Sequence, residues 1–418
     1  MSDDIKLSKV NILIRQKKFA EAERIVKDLL SQDVNNTDFL SLLAEINLQQ
    51  DKFDVAETLI SNAIGIAPDD PHLFYIRSRI AVQQDKFDEA ENDLRTAITL
   101  DPFDADYFAF LANIRLSRKN YAEALEYADK ALSMDAENLL ALNTRSSALL
   151  KLNRKTESFD TIEGALRGQP NNAFTHANYG WGLLEKGDHK KAKEHFREAL
   201  KNDPNLDFAQ AGMLEALKAS NPVYRLFLKY SFFMGNLTEK YQWGVIIGFY
   251  VGMRGLRLLA ANNAALQPYL IPLIVALAVI AFSTWVINPI GNLFLRFNSY
   301  GKFLLNKKEV MSSNFVAGSF ALFLVGAGMY LIFSDERFLA ITVFGFAMML
   351  PFGVMFNPTK HKNALLIYSA VMAFVGLAAI ALTFYTGMLV NTLSMIFLIG
   401  FVAFQWVANF MMIKEDNR

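Results

Sequence analysis

Cysteine is absent from the 418-residue chain, which excludes disulfides, thiolate zinc sites and thiol nucleophiles together. Net charge is absent as well, with 42 Lys+Arg against 42 Asp+Glu, so the chain as a whole lacks the basic excess that draws nucleic acid. Five histidines are present, His72, His176, His189, His195 and His361, and none falls in a long apolar segment. His189 and His195 are six residues apart on one expected helix, a spacing that does not put them on one face for a metal. His-Glu-x-x-His, Gly-x-Ser-x-Gly and glycine-rich phosphate loops are all missing, so the chemistries built on them lack their residues. No cofactor, metal or enzymatic activity is expected. Residues 1–16 carry Asp3, Asp4 and Lys6 without an apolar run, so no signal peptide is expected there.

What is present divides into two unlike halves. Residues 223–418 hold 14 Lys+Arg and 6 Asp+Glu (net +8), which leaves 28 and 36 (net −8) for residues 1–222. A hydrophobic content of 52% excludes disorder, and the uneven distribution excludes one soluble globule.

The first half repeats every 34 residues. Phe19, Phe53, Phe87 and Tyr121 keep that step, as do Ala22, Ala56, Ala90 and Ala124, with Ser158 and Ala192 continuing the column. Ala63, Ala97, Ala131, Ala165 and Ala199 form another column, and Pro68, Pro102, Pro170 and Pro204 a fourth. Six units follow, 3–36, 37–70, 71–104, 105–138, 139–172 and 173–206. Each reads as two amphipathic helices. In the third unit Phe74, Arg77, Ser78 and Ala81 give the stripe of the first helix, Gln84-Asp85-Lys86 the break, and Phe87 to Leu100 the second helix. The alanines allow close helix approach, and proline stops each second helix because it lacks the N–H that the next turn requires. Residues 207–221, with Phe208, Met213, Leu214 and Leu217, suit a closing helix over the last open apolar face.

This arrangement resembles the tetratricopeptide repeat family, whose small, aromatic, alanine and proline positions stand here as Ser78, Phe87, Ala90, Ala97 and Pro102. Val10 departs from the small position in the first unit, and Lys155 and Ser158 depart in the fifth, so those units are expected to be less stable. The resemblance implies a solenoid of helical hairpins that binds protein or peptide segments in a groove lined by its first helices. Carried over by position, the groove residues are Asn11, Glu45, Tyr75, Arg79, Asn113, Asn143, Asn178 and Trp181. Asparagine both donates and accepts, which suits the backbone of an extended peptide. The carboxylate clamp of one subgroup is not expected, because Leu7 and Leu42 occupy two of its positions.

The second half contains six apolar segments, 243–261, 269–287, 314–333, 338–356, 364–386 and 388–413, each near the ~20 residues that cross ~30 Å of hydrocarbon and none with Asp or Glu. The fold class expected is therefore all-α, a tetratricopeptide helical-hairpin solenoid followed by a six-helix transmembrane bundle. The domains expected are 1–221, an amphipathic interfacial connector at 222–242, and a membrane domain at 243–418. Lysine and arginine set the sidedness. Arg225, Lys229, Lys240, Arg296, Lys302, Lys307, Lys308, Lys360, Lys362, Lys414 and Arg418 fall on one side, and Arg337 alone on the other. Both termini are thereby expected in the cytoplasm, with a multi-pass placement in a bacterial cytoplasmic membrane, since the second half resembles uncharacterised bacterial membrane proteins joined to repeats.

Several features of the apolar half invite a role. Gly244, Gly248 and Gly252 form a small-residue ridge for helix packing, either within the chain or against a second copy of it. Arg254 interrupts the first span and is expected to face a polar interior or to pair with carbonyls, while Arg257 snorkels. Gln405 and Asn409, four apart, are expected to hydrogen-bond between helices. Two stripes read as basic amphipathic helices that favour anionic lipid, Val223/Leu226/Phe227/Tyr230/Phe233 and Ile290/Leu293/Phe294/Phe297/Leu304. The favoured function is a membrane-anchored scaffold whose cytoplasmic repeats hold protein partners. The alternative is a transport or channel component with regulatory repeats, and Arg254→Ala in liposome transport discriminates the two.

Overall fold

A computed structural model describes residues 3–298, 301–357 and 363–416; Lys360, His361, Lys362 and Arg418, which the sequence reading used, lie outside them. Every regular element among the described residues is an α-helix. The chain forms two compact units, Met1–Pro170 and Asn171–Arg418.

The first unit consists of five helical hairpins, α1 (Asp3–Arg15) with α2 (Phe19–Leu30), α3 (Thr37–Leu48) with α4 (Phe53–Ile66), α5 (Pro71–Gln83) with α6 (Phe87–Leu100), α7 (Ala105–Ser117) with α8 (Tyr121–Met134), and α9 (Leu139–Lys151) with α10 (Lys155–Gly168). Local chemistry starts the first helices of the second to fifth hairpins at the same register. Asn36, Asp70, Asp104 and Asn138, each 34 apart, accept from the backbone N–H of Phe39, His72, Asp106 and Ala141. That satisfies one of the orphan donors of each N-terminus. Lys17, Asp51, Asp85, Lys119 and Asn153 turn the chain between the two helices at φ of 58°, 57°, 62°, 61° and 62°. In the cores, Ala22, Ala56, Ala63, Ala90, Ala97, Ala124 and Ala131 are fully buried, so the columns do serve close helix approach. In the fifth hairpin, Ser158 Oγ donates to Ser146 O at 2.7 Å and Ser146 Oγ to Ser158 O at 3.0 Å. Hydrogen bonds there take the place of an alanine contact.

The hairpins are tied to one another by a ladder that repeats with the same period. Glu23 accepts from Gln50 at 3.0 Å and Lys52 at 3.2 Å. Glu57 accepts from Gln84 at 3.0 Å and Lys86 at 3.2 Å, and Glu91 from Arg118 at 2.9 Å. Lys27, then Gln50, hold the Glu23 carboxyl down at about 2.

The second unit begins with the sixth hairpin, α11 (Ala173–Lys186) and α12 (His189–Asn202), followed by α13 (Asp207–Lys218) and α14 (Pro222–Gly235). Gly187 takes the left-handed turn here at φ 97°. Six helices long and apolar enough to cross a membrane follow, α15 (Glu239–Asn262), α16 (Gln267–Leu295), α18 (Lys307–Phe333), α19 (Arg337–Val354), α20 (Ala364–Thr386) and α21 (Thr392–Asp416), with the single turn α17 (Gly301–Leu304) between α16 and α18. The compact units thus divide after residue 170 rather than at 221, so the sixth hairpin and α13 group with the apolar helices. Ile290, Leu293 and Phe294, expected on a separate surface helix, instead continue α16 through Pro289. The start of α18 lies seven residues ahead of the apolar run because Asn306 and Glu309 close a capping box.

Candidate functional site

Within the first unit the structure gathers Glu45, Tyr75 and Arg79 into one patch. Glu45 and Arg79 occupy the same position in successive first helices and form an ion pair at 2.5 Å, both half-buried. The Arg79 guanidinium lies 5.7 Å from the Tyr75 ring centre. Tyr75 in turn packs against Tyr107 at 5.4 Å and meets the edge of Phe110 at 5.6 Å, with His72 at 6.1 Å. Burial is the main cause that raises the phenol pKa of Tyr75, and likewise that of Tyr107, to which Asp104, Asp101 and Asp70 add. Asn113, the next residue in the column of Glu45 and Arg79, is half-buried, and Asn11 is exposed at the other end. Asn143 is a correction: only 4% exposed, it donates to Leu139 O of its own helix at 2.8 Å. The residues the groove expectation missed are Tyr107, Phe110 and His72. Their signal was present as the aromatics Tyr107, Phe108 and Phe110, which fall outside the four repeat columns.

In the second unit Asn178 is half-buried, and Trp181 is engaged internally rather than offered to a partner. Its indole N–H donates to Phe208 O at 3.1 Å, and its rings stack on Phe208 at 5.8 Å and meet the edges of Phe196 and Phe232. Phe196 is large for its column, and glycine makes the room: a Cβ on Gly180 would sit 2.7 Å from its ring, and one on Gly212 only 2.2 Å. His189 and His195, six apart on α12, form no pair with each other, as their spacing implies. The fold instead places His176 Nδ1 3.0 Å from His195 Nδ1 across α11 and α12, and among the described residues no third ligand joins them.

A polar joint built around the buried Tyr224 connects α13, α14 and α16. The Tyr224 hydroxyl donates to Glu215 Oε2 at 2.8 Å and also meets the Asn288 side-chain amide. Lys218, its side chain 5% exposed, donates to Glu215 Oε1 at 3.1 Å. Nearby, Asn236 Nδ2 donates to Glu185 Oε1 at 2.9 Å. The outer face of α14 remains open, with Val223, Leu226, Tyr230 and Phe233 exposed, as the amphipathic stripe implied. Arg296 is not a free loop cation, since it donates to Asn314 Oδ1, Val310 O and Ser313 Oγ at 2.7–2.8 Å.

The glycine ridge is not a packing seam within the chain. An added Cβ on Gly244, Gly248 or Gly252 meets nothing within 4 Å. Close backbone approach occurs instead where α18 crosses α19. There a Cβ on Gly326 would lie 2.6 Å from Thr342 N, and one on Gly345 2.4 Å from Phe323 N. Arg254 is exposed rather than turned to a polar interior, and Arg257 is exposed as well. Gln405 and Asn409 are half-buried, and the interhelical hydrogen bond expected of them does not form among the described residues.

Comparison with known proteins agrees with the repeat geometry. Models of the tetratricopeptide repeat match residues 13–80, 77–138 and 173–206, so these segments are tetratricopeptide repeats. The stretch between them is the fifth hairpin, where Lys155 and Ser158 break the columns. Solved structures similar to the chain include a tetratricopeptide repeat protein of Thermus thermophilus (17% identity, 43% of this chain and 98% of that one, TM-score 0.41). Another is the protein PilF of Pseudomonas aeruginosa (17%, 50% and 95%, 0.40). A third is YrrB, described as a tetratricopeptide repeat protein with an unusual peptide-binding site (16%, 44% and 96%, 0.32). No curated protein matches the sequence.

Proposed function

We propose that the protein is a non-enzymatic scaffold, anchored in a membrane by its six apolar helices, that holds an extended protein segment on the first-helix face of its second to fourth repeats. The observation that supports this most is the patch of Glu45, Arg79 and Tyr75 beside Phe110 and Asn113. It combines a half-buried aromatic wall with a charge pair and an asparagine, a mixture able to meet both the backbone and the side chains of a peptide. The paired state of Glu45 and Arg79 keeps both charges satisfied until a partner competes for them. Sidedness follows the distribution of lysine and arginine, with the repeats in the cytoplasm of a bacterial cell.

Crosslinking of the full-length protein in its native membrane, read by mass spectrometry, tests the reading. Crosslinks from α3, α5 and α7 should converge on one segment of a partner and fall at least tenfold in the combined Tyr75→Ala, Arg79→Ala, Asn113→Ala variant. Equal crosslinks in both proteins would overturn it. Protease added outside sealed cells should leave residues 1–221 uncut.

A further inference from the structure

One face of α15 differs from the rest of the apolar surface. Trp243, Tyr250, Arg254 and Arg257 fall within a ~60° arc at ~100° per residue, on the side of the helix away from the glycine ridge. Trp406 of α21 joins them, stacked on Trp243 at 6.1 Å with the rings 7° from parallel and meeting Tyr250 edge-on at 6.4 Å. The rings are not buried by this contact, since Tyr250 stays 58% and Trp406 43% exposed. Arg254 and Arg257 are exposed beyond them and form neither an ion pair nor a hydrogen bond among the described residues. Residues 240–308 and 337–414 contain no Asp or Glu, so α16 supplies no carboxylate, and α15 and α21 carry theirs only at one extreme end, Glu239 in α15 and Glu415 and Asp416 in α21.

On the reading that these helices cross a bilayer, two arginines one and two turns inside the end of α15 stand where an uncompensated guanidinium is costly, ~2.5–3.5 kcal/mol each at mid-span on insertion scales. We infer that the seam between α15 and α21 holds one phosphate-bearing lipid, its phosphate on Arg254 and Arg257 and an acyl chain over Tyr250, Trp406 and Trp243. Guanidinium forks match phosphate oxygens two at a time. The side chains can also rise toward the headgroup level by snorkelling. Fourteen residues from Trp243 to Arg257 give a track of ~21 Å, longer than the ~15 Å half-thickness of the hydrocarbon, so a full chain lies along it. A helix of another protein is the poorer occupant, because bulky rings rather than small residues line this face and hold a second backbone away.

Native mass spectrometry of the full-length protein in detergent tests this, with phosphatidylglycerol, diacylglycerol and inorganic phosphate each titrated. The wild type should keep one phosphatidylglycerol, at least tenfold tighter than diacylglycerol and without measurable affinity for phosphate alone. Arg254→Ala with Arg257→Ala should lose that preference, and the double lysine variant should retain part of it with unchanged helix content. Equal retention by wild type and alanine variant, equal binding of diacylglycerol, or a crosslinked carboxylate-bearing span of another protein at Arg254 would each overturn the inference. Alkaline carbonate washing separates the two readings. A wild type washed off the membrane fails both, whereas wild type and variant that stay integrated but hold lipid equally fail only this one.

Discussion

The repeats of the first unit and the apolar helices of the second solve the same packing problem by different means. In the repeats the contact is made by alanine, in fixed columns, with a cap and a left-handed turn at fixed offsets. Among the apolar helices no column exists, and closeness is concentrated at single glycines, Gly326 and Gly345, where backbone meets backbone. On the reading that the apolar helices cross a bilayer, the difference follows from solvent. In water each hairpin gains by burying any apolar face, so a regular code suffices. Between helices that share an apolar surrounding, association depends on fit, and fit is local.

The largest expected effect breaks the regularity of the repeats from within. Arg77 and Asp93 form a two-pronged pair, at 2.6 and 2.9 Å, where the preceding repeat has Leu43 and Leu59. Asp93→Ala leaves a guanidinium half-buried and should cost about 3 kcal/mol in urea unfolding. Arg77→Leu with Asp93→Leu restores the apolar form of the column and should return stability to within about 1 kcal/mol of wild type. If the double variant is as unstable as the single one, the columns are not interchangeable.

Next comes the contrast between glycines. Gly345→Ala should lower the thermal midpoint in detergent by an amount corresponding to about 1–3 kcal/mol, whereas Gly248→Ala should stay within about 0.5 kcal/mol. Similar losses at both positions would mean that the ridge packs against something. Tyr224→Phe should cost about 1–2 kcal/mol, because Glu215 and Asn288 lose the hydroxyl they share, carried by a buried ring.

Acid unfolding sharpens the same comparison. The Glu23 carboxyl is held below its usual range chiefly by Lys27 and Gln50, so its contribution is full above the unfolded value near 4.5 and fades as pH falls toward about 2. Glu23→Gln should flatten the pH dependence of first-unit stability in that window and leave it unchanged at pH 6–8. The smallest effect is expected at the turns. Lys119→Gly, at φ 61°, should stabilise by about 0.5 kcal/mol, since glycine adopts that conformation without a Cβ clash.

Much of the repeat fold was legible because its signals are periodic and local. Phe19, Phe53, Phe87 and Tyr121 mark the starts of α2, α4, α6 and α8, and the buried alanines lie where the columns put them. The cap column and the left-handed column were equally present in the letters. Asn alternates with Asp in one, and Lys, Asp and Asn share the other, so identity alone hid them. The candidate site was less legible. Asn113 continues the column of Glu45 and Arg79, whereas Asn143 stands in that of Tyr75 and the fully buried Ala109, and there it turns back onto Leu139 O. The repeat position of Trp181 implies a groove residue. The large Phe196 and the glycines opposite it set it against Phe208 instead.

By itself the sequence determined where the repeat helices begin and end, how often the hairpins recur, and which segments are long and apolar enough to cross a membrane, since each depends on neighbours a few residues away. Tertiary structure decided which glycines carry a helix crossing, which polar groups close the joint at Tyr224, and that Arg254 looks outward. These depend on atoms brought together from positions far apart in the chain, and a one-dimensional pattern does not hold that distance.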